Sequence, residues 1–168
     1  MKKIILKLFL FITITSYCQT SQQVEDWIMV KTAKVLLNDN KVQQSIIFNP
    51  YPEVIKEITD KDFPESDRKK LMLFVFSSKT IMTAYLIDYR AIKDVEIVTE
   101  DKVKKLKMSV DNRFFTKGLF RIGGIKNNQD FNEIQMFFSE FSLEKNDFKE
   151  AFIELGKING FVVKDMNQ

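Results

Sequence analysis

The sequence predicts an α+β fold: a curved antiparallel sheet or partly open barrel, with a C-terminal helix and an additional N-terminal helix. Three observations predict it. Strand-like segments follow one another from Leu71 to Ile134 with short polar connections, which favours antiparallel neighbours. No stretch between them has the length and period of a crossover helix, which a doubly wound parallel sheet requires. The last strand is followed by Phe148, Ala151, Phe152, Leu155 and Ile158, an apolar stripe at helical spacing that needs a sheet to cover.

The chain has 168 residues, 45% of them apolar and 16 of them Phe, so one domain with a real core is expected and disorder is not. Residues 1–18 read as a signal peptide. Met1-Lys2-Lys3 is positive, Ile4 to Ile14 is apolar apart from Lys7 and Thr13, and Thr15 to Cys18 is more polar. The segment is too short and wrongly flanked for a lasting transmembrane helix. Two processing routes are open. Cleavage between Cys18 and Gln19 would release a periplasmic or secreted protein. Lipidation at Cys18 would make an outer-membrane lipoprotein, although Tyr17 fits such a signal poorly. No integral span is expected in the mature form. The formal charge of +3 is supplied by Lys2, Lys3 and Lys7. Without them 23 basic residues face 23 acidic ones, which gives no general reason to expect nucleic acid as a partner.

The mature part reads as a single domain over residues 19–163, with residues 164–168 as a frayed tail. Thr20 and Gln23 form a weak capping box, and a helix is expected from about Gln22 to Leu37 with Trp27 as its packing anchor. Val42 to Phe48 suits a short strand, and Asn49-Pro50-Tyr51-Pro52 a turn. Glu53 to Ile58 suits either a helical turn or an extended segment. Asp60 to Lys70 reads as a charged, solvated excursion. Leu71 to Phe76 is a continuous apolar run, as in a strand buried on both faces. Ser77-Ser78-Lys79 is a turn, and Thr80 to Tyr89 is the partner strand. In Ile92 to Val98, Val95 and Ile97 face one way while Asp94 and Glu96 face the other. Leu106 to Val110 alternates, giving one wet face. Asp111-Asn112 turns into a strand from Phe114 to Ile122, ended by Gly123-Gly124. Lys126 to Asn132 reads as polar loop, and Glu133 to Leu143 as the last strand.

The order of elements from Tyr89 to Gly160 resembles the pleckstrin-homology-like folds, including their bacterial and GRAM-type members. The resemblance rests on Tyr89 to Ile97, where an aromatic and an Ile precede a Val-Glu pair, on Leu106-Lys107-Met108, on Ile134 to Phe138, and on the helix opened by Asp147 to Phe152. It implies a PH-like sheet and helix over about residues 71–160, with the helix capping the open end of a barrel. It also implies a free strand edge beside Phe148 and Phe152, open to peptide addition. No basic headgroup motif matches, so lipid binding does not carry over. The composition, rich in Lys, Asn, Phe and Ile, resembles that of small exported proteins of Bacteroidetes-type bacteria.

The residue types restrict the chemistry. The chain has no histidine and one cysteine, so imidazole bases, Ser-His-Asp triads, imidazole zinc sites and thiolate clusters are excluded. Carboxylate catalysis would need a convergent pair, about 5–10 Å apart for a glycosidase, with one raised pKa. Asp60 and Asp62, or Glu96, Glu100 and Asp101, lie near one another in sequence, and surface acids are the simpler reading. No catalytic or metal-binding residue is assigned and no cofactor is expected. The candidate partner surface is Phe115, Phe137, Lys105 and Lys107: consecutive Phe residues on a strand face opposite ways, so at least one of each pair is expected in the core, and one member either covers the flanking helix or forms an exposed patch. The expectation is an exported, non-enzymatic binding or scaffold module for an envelope or extracellular protein, a peptide or a small apolar molecule. The alternatives are a carboxylate-dependent secreted enzyme and a structural envelope protein.

Overall fold

The structure is a computed structural model. It describes residues 20–32, 36–37, 42–78, 81–100, 103–122, 125–138 and 145–168. The leader with Cys18 and Gln19, the Gly123-Gly124 turn, Asp101, Lys102 and the expected strand end at Ser139 to Leu143 lie outside the described residues.

Helix α1 (Ser21–Thr32) leads to β1 (Leu36–Leu37), β2 (Val42–Phe48), α2 (Pro52–Ile58), α3 (Glu65–Arg68), β3 (Leu71–Ser77) and β4 (Ile81–Asp88). A 3-10 turn (Tyr89–Ala91) leads to β5 (Ile92–Glu100), β6 (Val103–Val110), β7 (Thr116–Ile122), β8 (Ile125–Gln129) and β9 (Glu133–Phe138). Helix α4 (Lys145–Ile158) and β10 (Lys164–Asp165) complete the chain. The strands form two sheets that do not close into a barrel. One is six-stranded in the order β1-β2-β3-β4-β7-β8, and the other is four-stranded in the order β10-β5-β6-β9. All neighbours are antiparallel except β10 beside β5.

The apolar run of β3 has the predicted two-sided burial. Met72 and Phe74 enter the main core, while Leu71 and Leu73 enter a second cluster with Ile55 and Ile58 of α2. The six-stranded sheet is therefore covered on both faces at its centre, which is why β3 does not alternate. In the four-stranded sheet Leu106, Met108, Ile134, Met136 and Phe138 face the core, and their sequence neighbours face outward.

Helix α4 is the plug of that core. Phe148, Phe152 and Leu155 are fully buried, and Phe148 packs on Trp27 at 5.2 Å and on Phe138 at 5.7 Å. The helix ends in a Schellman motif. Phe161 N donates to Gly156 O (2.9 Å), Gly160 N donates to Lys157 O (3.3 Å), and Gly160 takes the left-handed position at φ +74°. A Cβ on Gly156 would come within 2.9 Å of Phe161 O, so the returning chain also needs a glycine there. At the start of α1 the capping box forms: Gln23 N donates to Thr20 Oγ1 and Thr20 N to Gln23 Oε1. Asn159 Nδ2 donates to Ser21 Oγ, tying the end of α4 to the beginning of α1.

Two of the corners that carry the chain between sheets, β4 to β5 and β6 to β7, share one device. Asp88 accepts from the backbone and guanidinium of Arg90, and Asp111 does the same with Arg113. The Arg113 side chain, then its backbone N–H, lowers the Asp111 carboxyl to about 2.

Three expectations are corrected. Leu36 and Leu37 end the predicted helix early, because they pair with β2 as β1. Ile125 to Gln129, read as loop from Lys126, is an edge strand on β7. The tail, expected to fray, carries the two-residue strand β10. Lys164 and Asp165 pair with β5, Asn167 Oδ1 accepts from Ile97 N and its Nδ2 donates to Ile97 O, and Lys149 Nζ lies 2.9 Å from the Asp165 carboxylate.

Two measurements check this packing. Phe152→Ala should lower the unfolding free energy by about 3–5 kcal/mol in a denaturant titration; a loss under about 1 kcal/mol would mean the ring is not in the core. The Lys149 side chain, then the Asn167 backbone N–H, holds the Asp165 carboxyl below its ordinary value, so the folded state favours the charged form. Its stabilisation is present above the ordinary carboxylate range and is lost as pH falls through the lowered value. The stability advantage of the wild type over Asp165→Asn should begin to shrink as pH drops below about 4 and be gone only below the lowered value. A difference that persists undiminished to strongly acid pH contradicts the ion pair.

Candidate functional site

The register of the six-stranded sheet sets out one continuous face. Gln44, Phe76, Thr83, Phe120 and Asn127 are successive cross-strand neighbours. So are Ile46, Phe74, Tyr85, Gly118 and Gln129. The helices cover this face at Ile46, Phe74 and Phe48, but Phe76, Thr83 and Tyr85 are only half-buried. Opposite them runs the outward face of β9, carrying Glu133, Gln135 and Phe137. These six residues line a cleft of about 350 Å³ between the two sheets.

A seam holds the cleft at one end. Phe137 lies on the edge strand of the four-stranded sheet, and its peptide groups point away from β6. Phe137 N donates to Gln44 Oε1 at 2.9 Å, and Gln44 Nε2 donates to Phe137 O at 2.7 Å. Gln44 is 3% exposed. Its side-chain amide fills the place of a neighbouring strand and locks β9 against β2. Phe76 then meets Phe137 edge-to-face, with centroids 5.6 Å apart and planes at 78°. Phe131 backs Tyr85 at 4.6 Å. Burial pushes the Tyr85 phenol above its ordinary pKa, so it stays a neutral hydroxyl at physiological pH.

Three of the four candidate surface residues come together here. Lys105 is the direct cross-strand neighbour of Phe137, with Nζ 5.4 Å from the ring centre, and Lys107 is the neighbour of Gln135. Glu100 bridges both lysines, at 2.6 Å from Lys105 and 3.3 Å from Lys107, while Lys107 also lies 3.7 Å from Glu133. The hydrogen bond to Lys105, then that to Lys107, holds the Glu100 carboxyl below its ordinary pKa. The lysines are thus a neutralised rim, not a free basic patch. Phe115 is elsewhere. It packs on Phe63 at 4.9 Å beneath Lys61, in the second cluster, because the chain changes sheet between β6 and β7. It lines a separate hollow of about 330 Å³ with Thr59, Asn112 and Lys117. Sequence reasoning passed over Phe76, Thr83, Tyr85 and Gln44. Alternation along β3 and β4 could have grouped the first three on one face; nothing local points to Gln44.

Other candidates acquire ordinary roles. In the charged excursion before β3, Lys69 and Lys70 pair with Glu65 and Asp67. Asp62 pairs with Lys56. Beside the C-terminal helix the chain's own β10 pairs with Asp94 and Val95 of β5, while β9, whose Phe138 meets Phe148, ends the same sheet. A larger groove of about 500 Å³ separates α1 from α4, lined by Trp27, Val24, Ala151 and three acids of α4. Among the described residues, no three His, Cys, Asp or Glu side chains cluster as metal ligands would, and no helix is long and apolar enough to cross a membrane. No protein family, curated protein or solved structure matches the chain.

Proposed function

We propose that this chain is an exported, non-enzymatic binding module that seats an apolar or aromatic group of a peptide or small molecule in the cleft between its sheets. The observation that carries the reading is the composition of that cleft. Three aromatic side chains, Phe76, Tyr85 and Phe137, supply apolar contact, while Thr83, Gln135 and the Tyr85 hydroxyl supply a few polar groups for orientation. Aromatic rings held by packing lose little freedom on binding, and the seam through Gln44 holds this pair in place. The leader supports export, and the stacking of sheets on a closing helix supports a distant PH-like relationship. An enzyme using carboxylates has less support. General acids need a raised pKa, whereas Glu100, Asp111 and Asp165 are each lowered by a cationic partner.

Titration with p-cresol, followed by backbone amide shifts in NMR spectra, tests the reading. The shifts should centre on Thr83, Tyr85, Gln135 and Phe137. Phe137→Leu keeps apolar bulk but loses the ring, and should weaken binding about tenfold. Shifts centred on the α1–α4 groove, or an unchanged affinity in the variant, would displace the site from the cleft.

A further inference from the structure

We infer that the outer edge of β8 accepts an extended peptide as an additional strand, and that the peptide alternates apolar with acidic side chains. This goes beyond the cleft and stands on different residues. Strand β8 ends the six-stranded sheet and, among the described residues, pairs with β7 alone. The other ends offer less: β1 and β10 are two residues long, and on β9 Gln44 takes the outward peptide of Phe137. An edge strand offers a row of backbone donors and acceptors to an incoming strand, and native edges are blunted by proline, bulges or charge. Strand β8 has neither proline nor bulge, and its one charge is Lys126.

The two faces of that edge differ in chemistry. On the cleft face Ile81, Ile122 and Ile125 are cross-strand neighbours, 42%, 45% and 76% exposed. The row runs up to the edge and stops at its most exposed member. An apolar residue opposite Ile125 would extend it and remove that surface from water. On the other face Arg121 and Lys126 are direct neighbours, two like charges drawn together at Glu57: Arg121 lies 3.8 Å from its carboxylate and Lys126 donates to its carbonyl. An acidic residue opposite Lys126 would supply the charge that this pair shares too thinly. Because side chains alternate along a strand, both demands fall on adjacent peptide residues. A second copy of this chain meets neither. Antiparallel pairing of all five β8 residues sets Ile125 against Gln129 and Lys126 against Asn128.

The test uses the purified protein and three synthetic peptides: alternating Val-Glu, alternating Val-Lys, and Val-Glu with alternate backbone nitrogens methylated. The Val-Glu peptide should slow hydrogen exchange of the β8 amides and bind about fivefold or more tightly than Val-Lys. The methylated peptide keeps the charges but loses pairing donors, and should give no protection. In Lys126→Glu the order of the two charged peptides should reverse. Equal binding of Val-Glu and Val-Lys, undiminished binding of the methylated peptide, protection away from β8, or no binding each overturns the inference. So does concentration-dependent protection of β8 without peptide, which would make the partner a second copy. The p-cresol titration reads the cleft separately, so either proposal can fail alone.

Discussion

The fold depends on how two sheets that do not close are kept in register, and one side chain bears most of that demand. The peptide of Phe137 points away from its own sheet into a space shielded from water. A buried N–H and C=O without partners would be costly, and among the described residues β9 pairs with no strand of the other sheet. Gln44 does, with one donor and one acceptor presented in the same sense as a backbone. The bond pair joins residues 93 apart in sequence, so it ties an early strand to a late one. It also fixes the spacing between β2 and β9, and hence the angle at which Phe76 and Phe137 meet across the cleft. Core and candidate site therefore share one constraint.

The remaining order follows from covering surfaces. The six-stranded sheet is apolar on both faces at β3 and β4, so it needs α2 on one side and α1 with α4 on the other. The four-stranded sheet is apolar on one face only, and its outward face is neutralised by Glu100, Lys105, Lys107 and Glu133. The C-terminal residues return across Gly156 and Gly160 to close the edge of β5. Among the described residues the cleft and the edge of β8 stay uncovered, and a partner there would add cover without displacing any.

Much of this was legible in the sequence. The uninterrupted run Leu71 to Phe74, the alternation of Leu106, Met108 and Val110, and the stripe Phe148, Phe152, Leu155 state which faces are buried, because burial selects residue type directly. The capping box at Thr20 and Gln23 is equally local. Other features were not legible, for identifiable reasons. Both faces of β8 are wet, so Lys126-Asn127-Asn128 carries no apolar pattern and resembles a loop. Leu36 and Leu37 continue a helical period, yet pairing with β2 overrides it. The tail is short and polar, and its order comes from Lys149 and Ile97, far away in sequence. Gln44 looks like an ordinary polar residue in a strand; its importance lies wholly in a partner that only the tertiary structure brings near. Phe115 was grouped with Lys105 and Lys107 by proximity along the chain, and the change of sheet between β6 and β7 separated them.

The most direct measurement of the central claim is native-state hydrogen exchange of the Phe137 amide in the wild type and in Gln44→Leu. Leucine keeps the apolar stem and removes both polar ends. If the seam holds the sheets together, the Phe137 amide should be as protected in the wild type as its neighbours in the β6–β9 ladder. It should then exchange about tenfold or more faster in the variant, with the overall unfolding free energy lower by about 2–4 kcal/mol. Equal protection in the two proteins would mean that β9 is held by its own sheet alone, and that the cleft has no fixed wall.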